Sequence, residues 1–351
     1  SFMDFDTAEK TLDSCVQKLT RKKDSLLLYS SFHFAVAYLR IGRREKAKSY
    51  LELPLKMSRQ TGLKQFVALL SGLMANILIS EGEEAAALPF ASVSIRYSAA
   101  EQYVQTYLTF PEMRPCLRLA IENEIEPDFC HRLILRLGPQ AEPQLIELLK
   151  SPKEPIRLKA AEWLIQQGGP VSLLEILFYD SSEAVREKAF AFLRSGAVPE
   201  NLRRPMYVRC MGPFEAFSAE DWERPLKWRT AKAKELFSYL IHWKGRPVPT
   251  ERILGDLWPD ASPEKGRDLF HTNLTYIKSI LKRCGLEDSL NKTQPGYWLD
   301  PSRIVCDSWL LESGELLYCR GKSNGLYLED VYSDWPAEKR SGLEARFSDP
   351  V

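Results

Sequence analysis

The sequence predicts a mainly α-helical chain, in which stacked helix pairs precede an α+β segment and a short helical C-terminal segment. Three observations support this fold class. Long amphipathic patterns separated by glycines occupy the first hundred residues, and a second pattern recurs after 28 to 29 residues between positions 145 and 189. Near Pro205 the sequence changes to short alternating stretches typical of β-strands, and further helical patterns follow.

The N-terminal region is predicted to consist of helix hairpins. Its helical patterns and the glycines between them follow in the order Leu26–Ile41, Gly42, Glu45–Thr61, Gly62 and Leu63–Ser80. The stretches 35–39 and 47–51 resemble a tetratricopeptide repeat, in which small residues let two helices approach and glycine permits the tight turn. We therefore expect tetratricopeptide-like repeats over residues 4–112.

A shorter repeat follows. The apolar stretch 145–149 recurs at 173–177, and Ile156-Arg157 recurs as Val185-Arg186. These units resemble HEAT-like repeats, and we expect them over residues 113–200. By that resemblance, Arg157 and Arg186 are interpreted as architectural arginines that bond within or between repeats. Together the two repeat types predict an α-solenoid that offers a surface to a small-molecule or protein effector.

Four aromatic residues near the end of the first repeat region have two interpretations. Tyr97, Tyr103, Tyr107 and Phe110 could line an effector pocket. Aromatic residues at helical spacing are more often part of a core. We favour the core interpretation, and the sequence does not identify the effector.

Composition narrows the class of protein. The seven cysteines of this 351-residue chain occur singly, which favours reduced thiols in a cytoplasmic protein, and no apolar run reaches the roughly 20 residues that a membrane span requires. The net charge of +1 is uneven, because residues 201–306 contain 18 Lys and Arg against 13 Asp and Glu. That segment carries +5 and the remainder −4, which suggests an anion-binding part attached to a mildly acidic scaffold.

The basic segment is predicted to contain three helices between β elements. An antiparallel β pair is expected from 206–210 and 214–217, and a hairpin is expected from 291–294, 296–299 and 303–305. Thr230 and Thr250 are placed to cap the first two helices. The third helix is expected from about Pro263 to Arg283, and Trp258 and Trp298 are interpreted as packing residues.

The third helix is predicted to present polar donors on one face, as a helix that enters the major groove of duplex DNA would do. The base-contact candidates are Arg267, His271, Thr272, Asn273, Thr275, Tyr276 and Lys278. A helix N-terminus and a hairpin tip are expected to contact phosphates. The phosphate-contact candidates are Arg229, Thr230, Lys232, Lys292, Thr293, Gln294 and Arg303. For any one of these residues taken alone, an ordinary solvent-exposed surface position is as good an interpretation as a DNA contact.

Four stretches of this segment resemble the OmpR/PhoB-type winged helix of SARP-family bacterial transcriptional activators: 234–240, 257–260, 270–274 and 296–299. The stretches 305–309, 327–330 and 334–336, with Arg340, resemble the opening of the bacterial transcriptional activation domain that follows it in that family. The resemblance implies a winged helix-turn-helix over 205–306 and an activation domain beginning at 307–351. Because that domain normally continues further, we expect a truncated version, with Ser1-Phe2 as a cloning remnant.

The expected function is therefore sequence-specific binding of double-stranded promoter DNA by a cytoplasmic, nucleoid-associated regulator. The resemblance adds activation through RNA polymerase. An alternative stays open, in which the repeats are a protein-assembly scaffold and the winged helix is a protein-interaction module. We expect no enzyme activity, cofactor or metal site, because the nucleotide-binding loop, the serine-nucleophile elbow and the zinc-protease helix are all missing from the sequence and its four histidines have no partner at metal-ligand spacing.

Overall fold

A computed structural model describes residues 5–22, 26–195, 204–294, 296–314 and 325–348, and it is mainly helical, as predicted. The chain forms two compact units that divide between Gly169 and Pro170. The first unit contains α1 Phe5–Lys22, α2 Leu26–Arg40, α3 Arg44–Gln60, α4 Lys64–Ser80, α5 Glu84–Glu101, α6 Val104–Thr109, α7 Pro115–Glu122, α8 Pro127–Leu137, α9 Glu142–Leu149 and α10 Glu154–Gln166. No helix in these ranges is both long and apolar enough to cross a bilayer.

The second unit mixes helices with two three-stranded sheets. Its elements are α11 Val171–Ile176, α12 Glu183–Arg194, β1 Met206–Arg209, β2 Glu215–Ser218, α13 Ala231–His242, β3 Val248–Pro249, α14 Thr250–Leu257, α15 Pro263–Arg283, β4 Leu290–Lys292, β5 Gly296–Leu299, β6 Ile304–Cys306, α16 Asp307–Ser313 and α17 Ala337–Ser348. The strand orders are β2-β1-β6 and β3-β5-β4.

The long helices of the first unit are joined by tight turns that require glycine. Gly42, Gly62 and Gly82 have φ values of 75°, 68° and 80°, a left-handed conformation that side chains disfavour. Ala47 and Ala87, which follow the first and third of these turns, are both fully buried, so α3 and α5 approach their neighbours closely. Equivalent positions therefore recur after 40 residues, a period that the sequence prediction missed.

The expected aromatic core of this unit is found for two of the four residues. Tyr107 is fully buried, with its hydroxyl 3.1 Å from Ser94 Oγ, and Phe110 packs edge-on against Phe32 with ring centroids 4.6 Å apart. Tyr103 is half-buried. Tyr97 is exposed, so it is available on the surface rather than part of the core.

The two repeated arginines have the structural role that was expected. Arg157 is buried, and its Nη1 donates to the carbonyl oxygen of Ser151 at 2.9 Å. Arg186 Nη1 donates to the carbonyl oxygen of Asp180 at 2.6 Å. In both cases the acceptor lies six residues upstream, in the turn that precedes the arginine's own helix. Each arginine therefore satisfies a carbonyl that the turn would leave without a partner.

The sheets confirm two expected pairings and correct the placement of a third stretch. β1 and β2 form the expected antiparallel pair, and β4 and β5 form the expected hairpin. The third stretch assigned to that hairpin, 303–305, was placed wrongly, because Ile304 to Cys306 pair in parallel with β1. All three residues of β6 are buried, so this strand is covered by the core although it forms one edge of its sheet.

The core of the second unit continues beyond the expected domain limits. Trp309, Tyr327, Leu328 and Leu343 belong to the same buried cluster as the residues of α13 and α15. At the other end, the Tyr179 hydroxyl lies 2.8 Å from the Val208 carbonyl oxygen and 2.9 Å from that of Val305, on neighbouring strands. The expected boundaries near residues 200 and 306 therefore both fall inside one packed unit.

Candidate nucleic-acid interface

The most prominent polar surface of the second unit is one side of α15. The helix begins where Ser262 Oγ accepts the backbone N–H of Lys265, and Pro263 occupies its first position. Phe270, Leu274, Ile277 and Leu281 are buried on its inner side. Its 21 residues correspond to a rod about 32 Å long at 1.5 Å per residue. The helix boundaries agree with those expected from the sequence.

Five base-contact candidates form the outer stripe of α15. Arg267, His271, Thr272, Thr275 and Lys278 are all exposed. The hydroxyls of Thr272 and Thr275 donate to the carbonyl oxygens four residues earlier, at 2.8 and 2.9 Å, which leaves their oxygen lone pairs toward solvent. This side of the helix therefore offers both hydrogen-bond donors and acceptors to a ligand.

Asn273 and Tyr276 do not belong to that stripe. Asn273 is 5% exposed, donates its amide to the Leu269 carbonyl at 2.7 Å and accepts the Thr230 hydroxyl at 2.7 Å. Tyr276 is half-buried, with the Arg229 guanidinium 4.5 Å from its ring centroid. Their side chains are occupied by contacts within the chain, so the structure does not support either residue as a direct base contact.

Two further cations extend the stripe and were missed by the sequence prediction. Lys282 and Arg283 are exposed in the last turn of α15. Lys282 continues the three-and-four spacing of residues 267, 271, 275 and 278, so extending the periodicity by one turn would have found it. Within the described residues, no acidic side chain forms an ion pair with Arg267, Lys278 or Lys282. The stripe therefore keeps its positive charge.

The N-terminus of α13 borders this surface. Thr230 caps the helix, because its Oγ1 accepts the backbone N–H of Ala233 at 2.9 Å. Arg229 is exposed, as a phosphate contact requires. Lys232 is committed elsewhere: its Nζ donates to the Leu257 carbonyl at 2.9 Å and lies 2.8 Å from Glu235 Oε2. Lys232 is therefore a weaker phosphate candidate than the sequence suggested.

The β4–β5 hairpin presents the remaining candidates. Lys292, Thr293 and Gln294 are exposed at its tip, and the Thr293 N–H donates to the Gly296 carbonyl at 2.8 Å. Arg303 is also exposed, and its Nη2 reaches the Gly285 carbonyl at 3.4 Å, close to the C-terminal end of α15. The four phosphate-contact candidates of this region are therefore all on the surface.

Trp258 has the packing role that was expected, and Trp298 is partly covered. Trp258 is half-buried against the core, edge-on to Phe270 with ring centroids 6.5 Å apart. Trp298 is half-buried on β5. Partial burial of both rings is consistent with packing rather than with an exposed stacking platform.

Three potential metal ligands lie together in the core of the same unit. The sulfur atoms of Cys210 and Cys306 are 3.7 Å apart, and Asp307 adjoins them. The Asp307 carboxylate accepts the backbone N–H groups of Cys210 at 2.7 Å, Met211 at 3.0 Å and Ser308 at 2.6 Å. Burial raises the pKa of Cys210 and of Asp307. A carboxylate that already accepts three backbone donors fits a structural connection between the end of β1 and the start of α16 better than a cation site.

The first unit carries a separate groove between α3 and α5. It encloses about 520 Å³ above a buried apolar floor that includes Leu55, Met74 and Leu78. Lys56 and Arg59 stand exposed at its edge. A volume of this size is within the range of small-molecule sites, so the groove is a candidate site on this unit for the expected effector.

Comparisons of the chain with protein-family models, with curated proteins and with solved structures each gave no match. The resemblance to SARP activators therefore rests on the sequence stretches quoted above. The evidence for a function comes from the surface of α15 and the elements that brace it.

Proposed function

We propose that the second unit is a winged helix-turn-helix module that binds double-stranded DNA in a sequence-specific manner, within a cytoplasmic transcription regulator of the SARP type. One observation carries the proposal: the exposed, cation-rich stripe of α15 lies opposite a fully buried apolar stripe. Such a helix is held firmly from one side and is open to a ligand on the other.

The dimensions and chemistry of α15 suit the major groove. That groove is about 12 Å wide and admits one α-helix. Arginine and lysine side chains donate to guanine O6 and N7, and threonine contacts the polar edges and the thymine methyl group. We assign Arg267, His271, Thr272, Thr275 and Lys278 to base or groove contacts, and Lys282 to a phosphate.

Phosphate contacts would fix the module on the duplex. Arg229 adds a charge beside the N-terminus of α13, where free backbone N–H groups favour an anion. Lys292 and Thr293 on the hairpin tip, with Arg303, would contact a neighbouring stretch of backbone. Such contacts carry little sequence information but set orientation and affinity.

The first unit is proposed to be the α-solenoid scaffold, formed by tetratricopeptide-like and HEAT-like repeats, that receives a small-molecule or protein effector. The groove above Leu55, Met74 and Leu78 is its proposed site. Recruitment of RNA polymerase is proposed from the family resemblance alone. No catalytic role is proposed.

Binding to duplex DNA can be tested by selecting bound sequences from random duplexes and then measuring affinity as a function of salt. For a true duplex binder, log K falls with log salt at a slope of about −0.9 for each phosphate neutralised. We expect Lys292→Ala, at the exposed hairpin tip, to reduce the slope by about one and to weaken binding to all duplexes alike, whereas Arg267→Ala should change the preferred sequence.

The matched control is Lys64→Ala, which removes one exposed positive charge from the first unit. It should leave both the slope and the preference unchanged. If the natural chain bound no duplex above the level of an unrelated basic protein, the alternative of a protein-assembly scaffold with a protein-binding winged helix would take its place.

A further inference from the structure

A part-buried hydrogen bond joins the base-facing helix to the phosphate-facing helix. Asn273 is 5% exposed, although His271, Thr272 and Thr275 around it are in solvent. The Thr230 hydroxyl donates to Asn273 Oδ1 at 2.7 Å and at the same time accepts the Ala233 N–H that caps α13. The asparagine's own N–H₂ group is held by the Leu269 carbonyl at 2.7 Å. Each partner is therefore oriented by a second bond.

A second contact repeats the connection one turn later. The Arg229 guanidinium lies over the Tyr276 ring, 4.5 Å from its centroid. Residues 273 and 276 are three apart, so they lie on the same side of α15. The two adjacent residues 229 and 230 thus bind two consecutive turns of the helix.

The remaining contacts between α13 and α15 include buried apolar side chains of one core. Apolar packing is not directional, and similar packings at slightly different registers differ little in energy. A part-buried hydrogen bond with fixed partners is satisfied at one register only, and fixing a register is the best-supported role of isolated polar groups between helices. The Thr230–Asn273 bond therefore selects the position of α15 along the N-terminus of α13.

We propose that Thr230 and Asn273 are positioning residues that hold the base-reading stripe of α15 in register with the phosphate-binding N-terminus of α13, so that the bond between them sets sequence discrimination without itself contacting a base. This inference rests on the proposed DNA-binding function. Phosphate contacts fix the position of the protein on the duplex. Side chains of α15 can then reach the base edges only if the helix has the right position relative to those phosphate contacts. If the register of α15 is loosened, the affinity for the preferred duplex falls, whereas binding that depends on charge alone is unchanged.

The test uses the full chain with the substitution Asn273→Leu, which keeps the side-chain size and removes the bond. Dissociation constants are measured for the duplex selected by the natural chain and for a scrambled duplex of equal length, over a range of salt. We expect the affinity for the scrambled duplex, and the salt dependence of that affinity, to be unchanged. The ratio between the two affinities should fall about 3- to 10-fold, the range given by the loss of one hydrogen bond.

Two other variants make the result specific. Thr230→Ser retains the hydroxyl, so it should keep both the cap and the natural affinity ratio. Asn273→Ala also removes the bond and introduces a smaller side chain. It is used in place of Asn273→Leu if the Asn273→Leu protein does not fold. A purely structural loss would reduce the active fraction and lower both affinities together, which leaves the ratio intact.

The outcomes separate the two proposals. If the natural chain discriminates between duplexes but both Asn273 variants keep its ratio, the positioning role is refuted and the DNA-binding function stands. If the natural chain binds no duplex, both proposals fail. A reduced ratio with unchanged scrambled-duplex affinity supports both.

Discussion

His242 should make the second unit acid-sensitive. The ring lies at the end of α13, 3.2 Å from the Tyr327 hydroxyl through Nδ1, between the rings of Trp243 and Trp335. Burial lowers the pKa of His242 to about 4, and the nearby positive charges of Lys339 and Arg252 add to the effect. Glu312 and Asp256 act in the opposite direction without reversing it.

The magnitude follows from the difference between the folded and unfolded pKa values. An exposed histidine has a pKa of 6.5, so protonating the folded protein costs about 3 kcal/mol more than protonating the unfolded chain. Above pH 6.5 the ring is neutral in both states and stability is unaffected. As the pH falls from 6.5 to about 4, the unfolded chain gains a proton that the folded chain does not, so the unfolding free energy falls by about 1.4 kcal/mol per pH unit.

The measurement is urea unfolding, followed by tryptophan fluorescence at pH 7, 6, 5 and 4.5. We expect His242→Gln to lose about 2 kcal/mol less than the natural chain between pH 7 and 5, because glutamine cannot take up the proton. Comparing the two proteins cancels the titration of the carboxylates they share. His271→Gln on the exposed side of α15 is the matched control and should follow the natural chain. Parallel pH profiles for His242→Gln and the natural chain would show that the buried ring does not govern acid stability.

Two further predictions concern the packing that supports α15. Tyr179→Phe removes the hydroxyl that lies between the Val208 and Val305 carbonyls. It should lower the unfolding free energy of the second unit by about 1–3 kcal/mol in urea titrations. The control is Tyr332→Phe, at a residue that is 94% exposed, and it should leave the unfolding free energy unchanged. Gly296→Ala would place a Cβ atom 1.6 Å from the Val248 carbonyl oxygen, so the β3–β5 pairing should break. Hydrogen exchange of the backbone amides in residues 290–299 should then become faster. The control is Gly255→Ala, at a glycine with open space around it, and it should leave amide exchange in residues 290–299 unchanged.

The sequence predicted α15 well because its signal is local. The apolar spacing from Phe270 to Leu281 fixes both the type of helix and the side that is buried. The outward positions follow directly, and five of the seven base-contact candidates are indeed exposed. The prediction failed at Asn273, which a helical pattern places at the edge of the stripe. Its burial depends on Thr230, 43 residues earlier, and no periodicity within one helix reports such a partner.

Sheet pairing was less predictable for the same reason. The stretch 303–305 follows the hairpin in sequence, and proximity in sequence favoured adding it there. Its actual partner is β1, almost a hundred residues upstream. The fully apolar run Ile304 to Cys306, buried on both sides, was the available sign of a covered strand rather than of a half-exposed hairpin strand. A strand with one exposed side would have alternated.

The proposed DNA-binding surface depends on parts of the chain outside a minimal three-helix module. A chain ending at Cys306 would lose Trp309 and Tyr327 from the core, two aromatic side chains that bury about 150–250 Å² each. At about 25 cal/mol per Å², their combined burial contributes about 7–12 kcal/mol, which is comparable to the whole stability of a typical domain.

The same holds on the N-terminal side of the unit, where Phe178 stacks on Tyr207 with ring centroids 4.9 Å apart. The helices before β1 and the segment after β6 are therefore part of the body that holds α15. A substitution in α11 or α12 would therefore disturb the contacts that β1 makes with these helices.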